Sequence, residues 1–148
     1  LELALSCDLV VCDETAVLGL PEVTVGVIPG GGGTQLLVRR VGSSRAADLV
    51  FTGRRVAVDE AERIGLLDRR VAAGAARREA LALAEVIAGN SPVGVRSAKR
   101  ALRLGADVDL AAGLEIEDGA WRATAFSADR AEGVAAFNEK RRPAWPGG

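Results

Sequence analysis

The sequence predicts an α/β fold with its strands early and its second half helical, and three observations carry that prediction. Short β-branched apolar runs bounded by aspartate or proline lie ahead of a glycine-rich loop. From Thr34 onward, apolar residues recur at helical spacing, punctuated by glycine and serine. Over 148 residues, 49% hydrophobic and 26% charged side chains suffice for a packed core.

The elements follow in order. Leu1, Leu3, Ala4 and Leu5 crowd a stretch that reads as the end of a buried helix. Leu9-Val10-Val11-Cys12, between Asp8 and Asp13, reads as an interior strand, and Thr15 to Leu20 as a second strand stopped by Pro21. Pro29-Gly30-Gly31-Gly32-Gly33-Thr34 is a loop whose glycines permit close backbone approach. Leu36, Leu37 and Val41, then Ala46, Ala47, Val50 and Phe51, mark two helices. Gly42-Ser43-Ser44 is the break and N-cap between them, and Gly53 is the stop. Val56 to Val58 reads as extended, and Asp59 as the cap of a helix through Ile64. A helix from Arg77 to Ala88 closes at Gly89-Asn90, and Ser91-Pro92 opens the next with serine as N-cap and proline at N1. Asp109 to Phe126 and Ala128 to Lys140 complete the helical half. The tail Arg142 to Gly148, rich in proline and glycine, is expected to be mobile. The alanine- and charge-rich final helices suit contact between subunits as well as an intramolecular face.

Composition narrows the chemistry. A formal charge of −1 lacks the basic excess that drives general nucleic-acid binding. With no histidine, Ser-His-Asp and Cys-His nucleophile chemistry are out, so acid–base work falls to carboxylates, lysines or backbone groups. Cys7 and Cys12 are too few and too close for a zinc site or a disulfide framework, and read as two small buried hydrophobes in a reducing compartment. There is neither a bilayer-length apolar run nor a charged leader before Leu1-Glu2-Leu3, so a cytoplasmic location is expected. The chain opens mid-pattern and without methionine, and is expected to be a fragment.

Three constellations could carry chemistry. Glu2 sits among leucines, and Glu22 follows Pro21, seven residues before the glycine loop. Paired carboxylates in apolar surroundings can divide into an acid and a base, although most glutamates near a helix end are solvated or capping. Ile28 to Gln35 leads glycine-rich backbone into a helix N-terminus, which can face an anion or a polarised oxygen; a tight turn with helix packing explains it as well. Lys140-Arg141-Arg142 reads as a solvated basic terminus, and Lys99, Arg100 and Arg103 as a solvated helix face.

These strings, taken in order, resemble the crotonase superfamily, the enoyl-CoA hydratase/isomerase family. The resemblance runs from Leu1 to about Trp145. It is carried by Glu2-Leu3-Ala4-Leu5-Ser6-Cys7-Asp8, Leu18-Gly19-Leu20-Pro21-Glu22 and Ile28 to Gln35. Thr52-Gly53-Arg54-Arg55 with Ala61 to Leu66, and Glu132-Gly133 with Ala136 to Arg141, extend it. It implies the end of a ββα spiral, incomplete at its N-terminal side, over residues 1–72, and a helical trimerisation region over 73–148. The turn that supplies an oxyanion N–H in the family would precede residue 1, so the chain alone is expected to be inactive.

By the same resemblance, Glu2 and Glu22 bracket the double bond of an enoyl-CoA thioester. Glu2 would orient and deprotonate water, and Glu22 would deliver a proton to Cα. Pro21 and Gly30 fall at substrate-binding positions, Gly30 with its N–H beside the catalytic water. Phe137 and Lys140 match positions near the coenzyme A moiety. The activity implied is hydration of a 2-enoyl-CoA in fatty-acid or branched-chain catabolism, with methylglutaconyl-CoA hydratase-like members the most similar. Coenzyme A enters as part of the substrate; no metal or other cofactor, no membrane and no nucleic acid is expected, and the assembly is a homotrimer or homohexamer. The alternatives are another crotonase-type reaction (isomerase, decarboxylase or synthase) and a non-catalytic interaction module.

Overall fold

A computed structural model describes residues 1–148. The chain divides into two compact units, Leu1–Ala82 and Leu83–Gly148.

The first unit begins with α1 (Glu2–Leu5), a single turn that buries Leu5 and leaves Leu3 exposed. β1 (Val11–Asp13) pairs in parallel with β4 (Arg69–Val71), and β2 (Val17–Gly19) pairs antiparallel with β3 (Arg55–Ala57), Leu18 opposite Val56. β4 escapes the sequence pattern because its two arginines are exposed and leave no apolar alternation to read. After β2 the chain passes through the fully buried Leu20 and the half-buried Pro21 into a 3₁₀ turn, Glu22–Val25.

Three helices complete this unit. α2 (Gly33–Val41) buries Gly33, Leu37 and Val41, a stripe at i, i+4 and i+8, and α3 (Ser43–Thr52) buries Ala46, Leu49 and Val50. The break between them is sharper than expected: Gly42 itself is the N-cap, and Ser43 and Ser44 lie inside α3 without a side-chain cap. Likewise α4 (Val58–Arg63) starts at Ala57, so Asp59 sits in its first turn, ion-paired with Arg70, rather than capping it. Leu20, Leu37, Leu49, Val56, Ala61 and Leu66 form the centre of one apolar core. Cys12 belongs to that core, whereas Cys7 is exposed on the turn that closes α1, which corrects its reading as buried.

The boundary between the units falls within α5 (Ala76–Ala88), and the second unit continues with three further helices. Ser91 caps α6 (Pro92–Gly105), its Oγ accepting the Gly94 N–H at 2.9 Å. Asp109 caps α7 (Leu110–Ala125) through the Ala112 N–H at 3.1 Å, and Ser127 caps α8 (Ala128–Asn138) through the Arg130 N–H at 3.1 Å.

The tail after α8 is tied down, not mobile. Arg141 forks onto Glu132, and the Ala144 N–H donates to Glu132 at 2.7 Å. The Trp145 indole N–H donates to the Gly89 carbonyl at 2.8 Å, and the Gly147 N–H to the Asp129 carboxylate at 2.7 Å. Asp129, the one fully buried charged side chain, also accepts from Ser91 Oγ and the Val93 N–H. Burial pushes its pKa up, but these three donors together with the Arg96 charge outweigh it, and the net direction is down. Proline and glycine content suggested mobility; two carboxylates one helical turn apart on α8 override it. Arg141 is therefore not part of a solvated basic terminus.

Candidate active site

Glu2 heads α1, and the loop that wraps it lies 29 to 31 residues downstream. Its Oε1 accepts the N–H of Gly31 at 2.7 Å and that of Gly33 at 2.8 Å. Both donors converge on one oxygen, leaving Oε2 outside the clamp. Gly33 is the first residue of α2, so the carboxylate also faces the positive end of a nine-residue helix. The anion that the glycine run holds is thus internal, a contact no local periodicity could reveal.

The glycines are required by space. A Cβ on Gly31 would stand 2.6 Å from Glu2 Oε2, and one on Gly33 would meet Pro29 Cβ at 2.7 Å, Glu2 Oε1 at 2.8 Å and Leu20 Cδ1 at 3.0 Å. Gly32, between them, has φ 97°, the left-handed conformation that turns the loop into the helix. Gly31 and Gly33 are the two donors that sequence reasoning did not single out within the run it read as able to face an anion.

Gly30 lies in the same loop but gives no N–H to Glu2. It is exposed, and a Cβ there would meet only the Ile28 carbonyl, at 3.9 Å. Its N–H is therefore outside the Glu2 clamp.

Glu22 opens the 3₁₀ turn that follows Pro21. The Thr24 N–H and Oγ1 both donate to the Pro21 carbonyl, at 2.9 and 2.7 Å, which folds that turn back on itself. The C-terminal end of α3 backs it: a Cβ on Gly53 would lie 2.7 Å from Thr24 Cγ2 and 3.5 Å from Pro21 Cα. Arg54 then bridges Asp48 of α3 and Glu60 of α4, fixing that corner. Glu22 Oε2 is buried and has no hydrogen-bond partner. Buried carboxylate oxygens are nearly always satisfied, so an orphan of this kind marks a place where a water or a substrate group belongs. Leu20, two residues before Glu22, packs on the Gly33 end of the Glu2 clamp.

Phe137 and Lys140 belong to the second unit. Phe137 is 82% exposed on α8, beside an apolar groove that Val134, Thr124 and Trp145 also line. Lys140 follows the end of that helix with φ 55°. No group of three or more His, Cys, Asp or Glu side chains is placed to hold a metal ion, and no helix is long and apolar enough to cross a membrane.

Residues 1–148 match the sequence model of the enoyl-CoA hydratase/isomerase family. The 2,3-dehydroadipyl-CoA hydratase of Escherichia coli (strain K12) is 42% identical over 146 residues, which cover 99% of this chain and 57% of that protein. A short-chain-enoyl-CoA hydratase of Clostridioides difficile is 42% identical over 136 residues, covering 92% of this chain and 88% of the relative. Among solved structures, an enoyl-CoA hydratase from Bacillus anthracis superposes with a TM-score of 0.95 at 44% identity, over 99% of this chain and 57% of that one. Apart from the Clostridioides protein, the chain spans about half the length of these relatives.

Proposed function

The chain belongs to the enoyl-CoA hydratase/isomerase family and has its α/β fold, and on that premise we propose that it serves the hydration of a 2-enoyl-CoA thioester. The observation that carries this reading is the contrast between two carboxylates. Glu2 has one oxygen clamped by Gly31 and Gly33, while Glu22 has a buried oxygen with no partner.

The clamp suits Glu2 to a general base. With Oε1 fixed, Oε2 is oriented and can accept a proton from water, whose oxygen bonds to Cβ of the substrate. The π electrons move onto Cα and the thioester oxygen, and Glu22 delivers a proton to Cα to give the 3-hydroxyacyl thioester. Exchange with solvent then returns the proton held by Glu2 and reprotonates Glu22. Each group contributes about 10²–10⁴ in rate as an acid or base. Backbone N–H donors to the thioester oxygen in the whole protein would add on the order of 10²–10³ each. Pro21 and Gly30 would line the acyl group, with the Gly30 N–H toward the reacting water. Phe137 and Lys140 would contact the coenzyme A moiety. The assembly proposed is a homotrimer or homohexamer in the cytoplasm, with no metal or separate cofactor.

The reaction type is tested by offering the whole protein crotonyl-CoA and a 3-enoyl-CoA. Loss of the conjugated enone absorbance on crotonyl-CoA, with appearance of the 3-hydroxy product, is expected. Conversion of the 3-enoyl to the 2-enoyl isomer without hydration would replace the hydratase with an isomerase.

A further inference from the structure

Lys140 is the only non-glycine residue in the chain with a positive φ, 55°. It sits at the end of α8, where the Arg141 N–H reaches back to the Ala136 carbonyl at 3.0 Å and closes the helix. Glycine is the usual occupant of such a site, because a Cβ strains the left-handed conformation. A lysine held there costs stability that the fold alone does not require, so its side chain is the part with a use. That side chain is exposed and forms no ion pair within the chain.

The backbone on the far side of Lys140 is fixed equally firmly. The Arg141 guanidinium donates to Glu132 through Nη1 at 2.5 Å and Nη2 at 3.0 Å, and to Glu139 through Nε at 2.6 Å. Glu132 Oε1 also takes the Ala144 N–H. Lys140 is thereby gripped between a helix end and a bidentate fork, while its ammonium is left free. The Arg141 hydrogen bonds, aided by the Ala144 N–H, hold the Glu132 carboxyl down at about 2, so the fork is intact throughout neutral pH.

We propose that Glu132 and Arg141 are positioning residues for substrate binding, setting the direction in which Lys140 presents its ammonium to the phosphate groups of the coenzyme A moiety. The proposal rests on the reading that Lys140 contacts coenzyme A. Neither Glu132 nor Arg141 touches the substrate; both act through the backbone of Lys140.

The experiment is a double-variant cycle on the whole protein, with coenzyme A titrated calorimetrically at low salt and the KM for crotonyl-CoA measured alongside. Lys140→Ala, Glu132→Gln and Arg141→Lys, which keeps the charge but not the fork, are each expected to weaken binding about 3- to 10-fold at low salt. KM should move more than kcat, and the effect should shrink as salt rises. In the Lys140→Ala background, Glu132→Gln should add less than about 2-fold, because the two act in series. Lys140→Gly should raise Tm by about 2 °C while binding weakens, separating strain from function.

Unchanged affinity in Lys140→Ala would overturn the underlying reading of Lys140. Weakened binding in Lys140→Ala, with none in Glu132→Gln or Arg141→Lys, would leave that reading standing and overturn the positioning role. Equal losses from Glu132→Gln in both backgrounds would overturn it too. Should Glu132→Gln fail to fold, Arg141→Lys decides the matter alone.

Discussion

The two units are held together by different physics. The first, Leu1–Ala82, contains almost every buried hydrophobic side chain, with Leu20, Leu37, Leu49, Val56 and Leu66 at its centre. The second, Leu83–Gly148, fully buries only Ala136 and Asp129, and leaves Leu102, Leu110, Trp121, Phe126 and Phe137 mostly exposed. Where the first uses area removed from water, the second uses caps and a polar clasp that stitches its tail to α8 and to the start of α6. The difference teaches where each kind of residue is placed. Glu2 and Glu22 stand on the well-packed unit, which can hold a carboxylate to within a few tenths of an ångström. The exposed apolar helices of the other unit are surfaces of the kind that mark interaction with another molecule.

The largest expected effect lies in the first unit. Leu37→Ala should cost about 3 kcal/mol in urea unfolding, because Leu37 has no solvent exposure. Leu102→Ala, at a side chain 75% exposed, should stay within about 0.5 kcal/mol. Equal losses at the two positions would erase the contrast between the units.

Gly33→Ala comes next. The new methyl would sit within 3.0 Å of Pro29, Glu2 and Leu20, so overpacking should cost about 1–3 kcal/mol. Because the clamp N–H moves with it, activity should fall by more than stability accounts for. Gly30→Ala, in open space, should be nearly neutral for stability; a large loss there would mean the clamp is not where the space is tight.

The smallest effect is the pH dependence of the clasp. Glu132 is held at about 2, below its ordinary 4.5, so its stabilisation is complete above about pH 4.5 and is lost as the pH falls through about 2. In a Trp121→Phe background, Trp145 emission should report release of the tail across that window. Glu132→Gln should flatten the response, whereas the same transition in both proteins would place the acid-sensitive contact elsewhere.

Much of this was legible in the sequence. Ser91-Pro92 announces its helix because capping chemistry is local, and Leu37 with Val41 shows the buried face of α2 by spacing alone. What was hidden is long-range. Nothing near Gly31 or Gly33 says that their N–H groups serve a carboxylate some thirty residues away. Nothing in Arg142 to Gly148 says that Asp129 and Glu132 will hold the tail, so its composition points the wrong way. The pairing of Glu2 with Glu22 was weak by spacing and strong only through the order of five motifs.

The central claim is that these two carboxylates act together on water and substrate. Its most direct test is steady-state hydration of crotonyl-CoA by the whole protein carrying Glu2→Gln, Glu22→Gln or both. Each single variant should lose about 10²–10⁴ in kcat with little change in KM, because the groups act chiefly in the transition state. The double variant should be scarcely worse than the poorer single one, as expected of residues working as a unit. Ordinary turnover in either single variant, or losses that multiply in the double, would contradict the paired-carboxylate account.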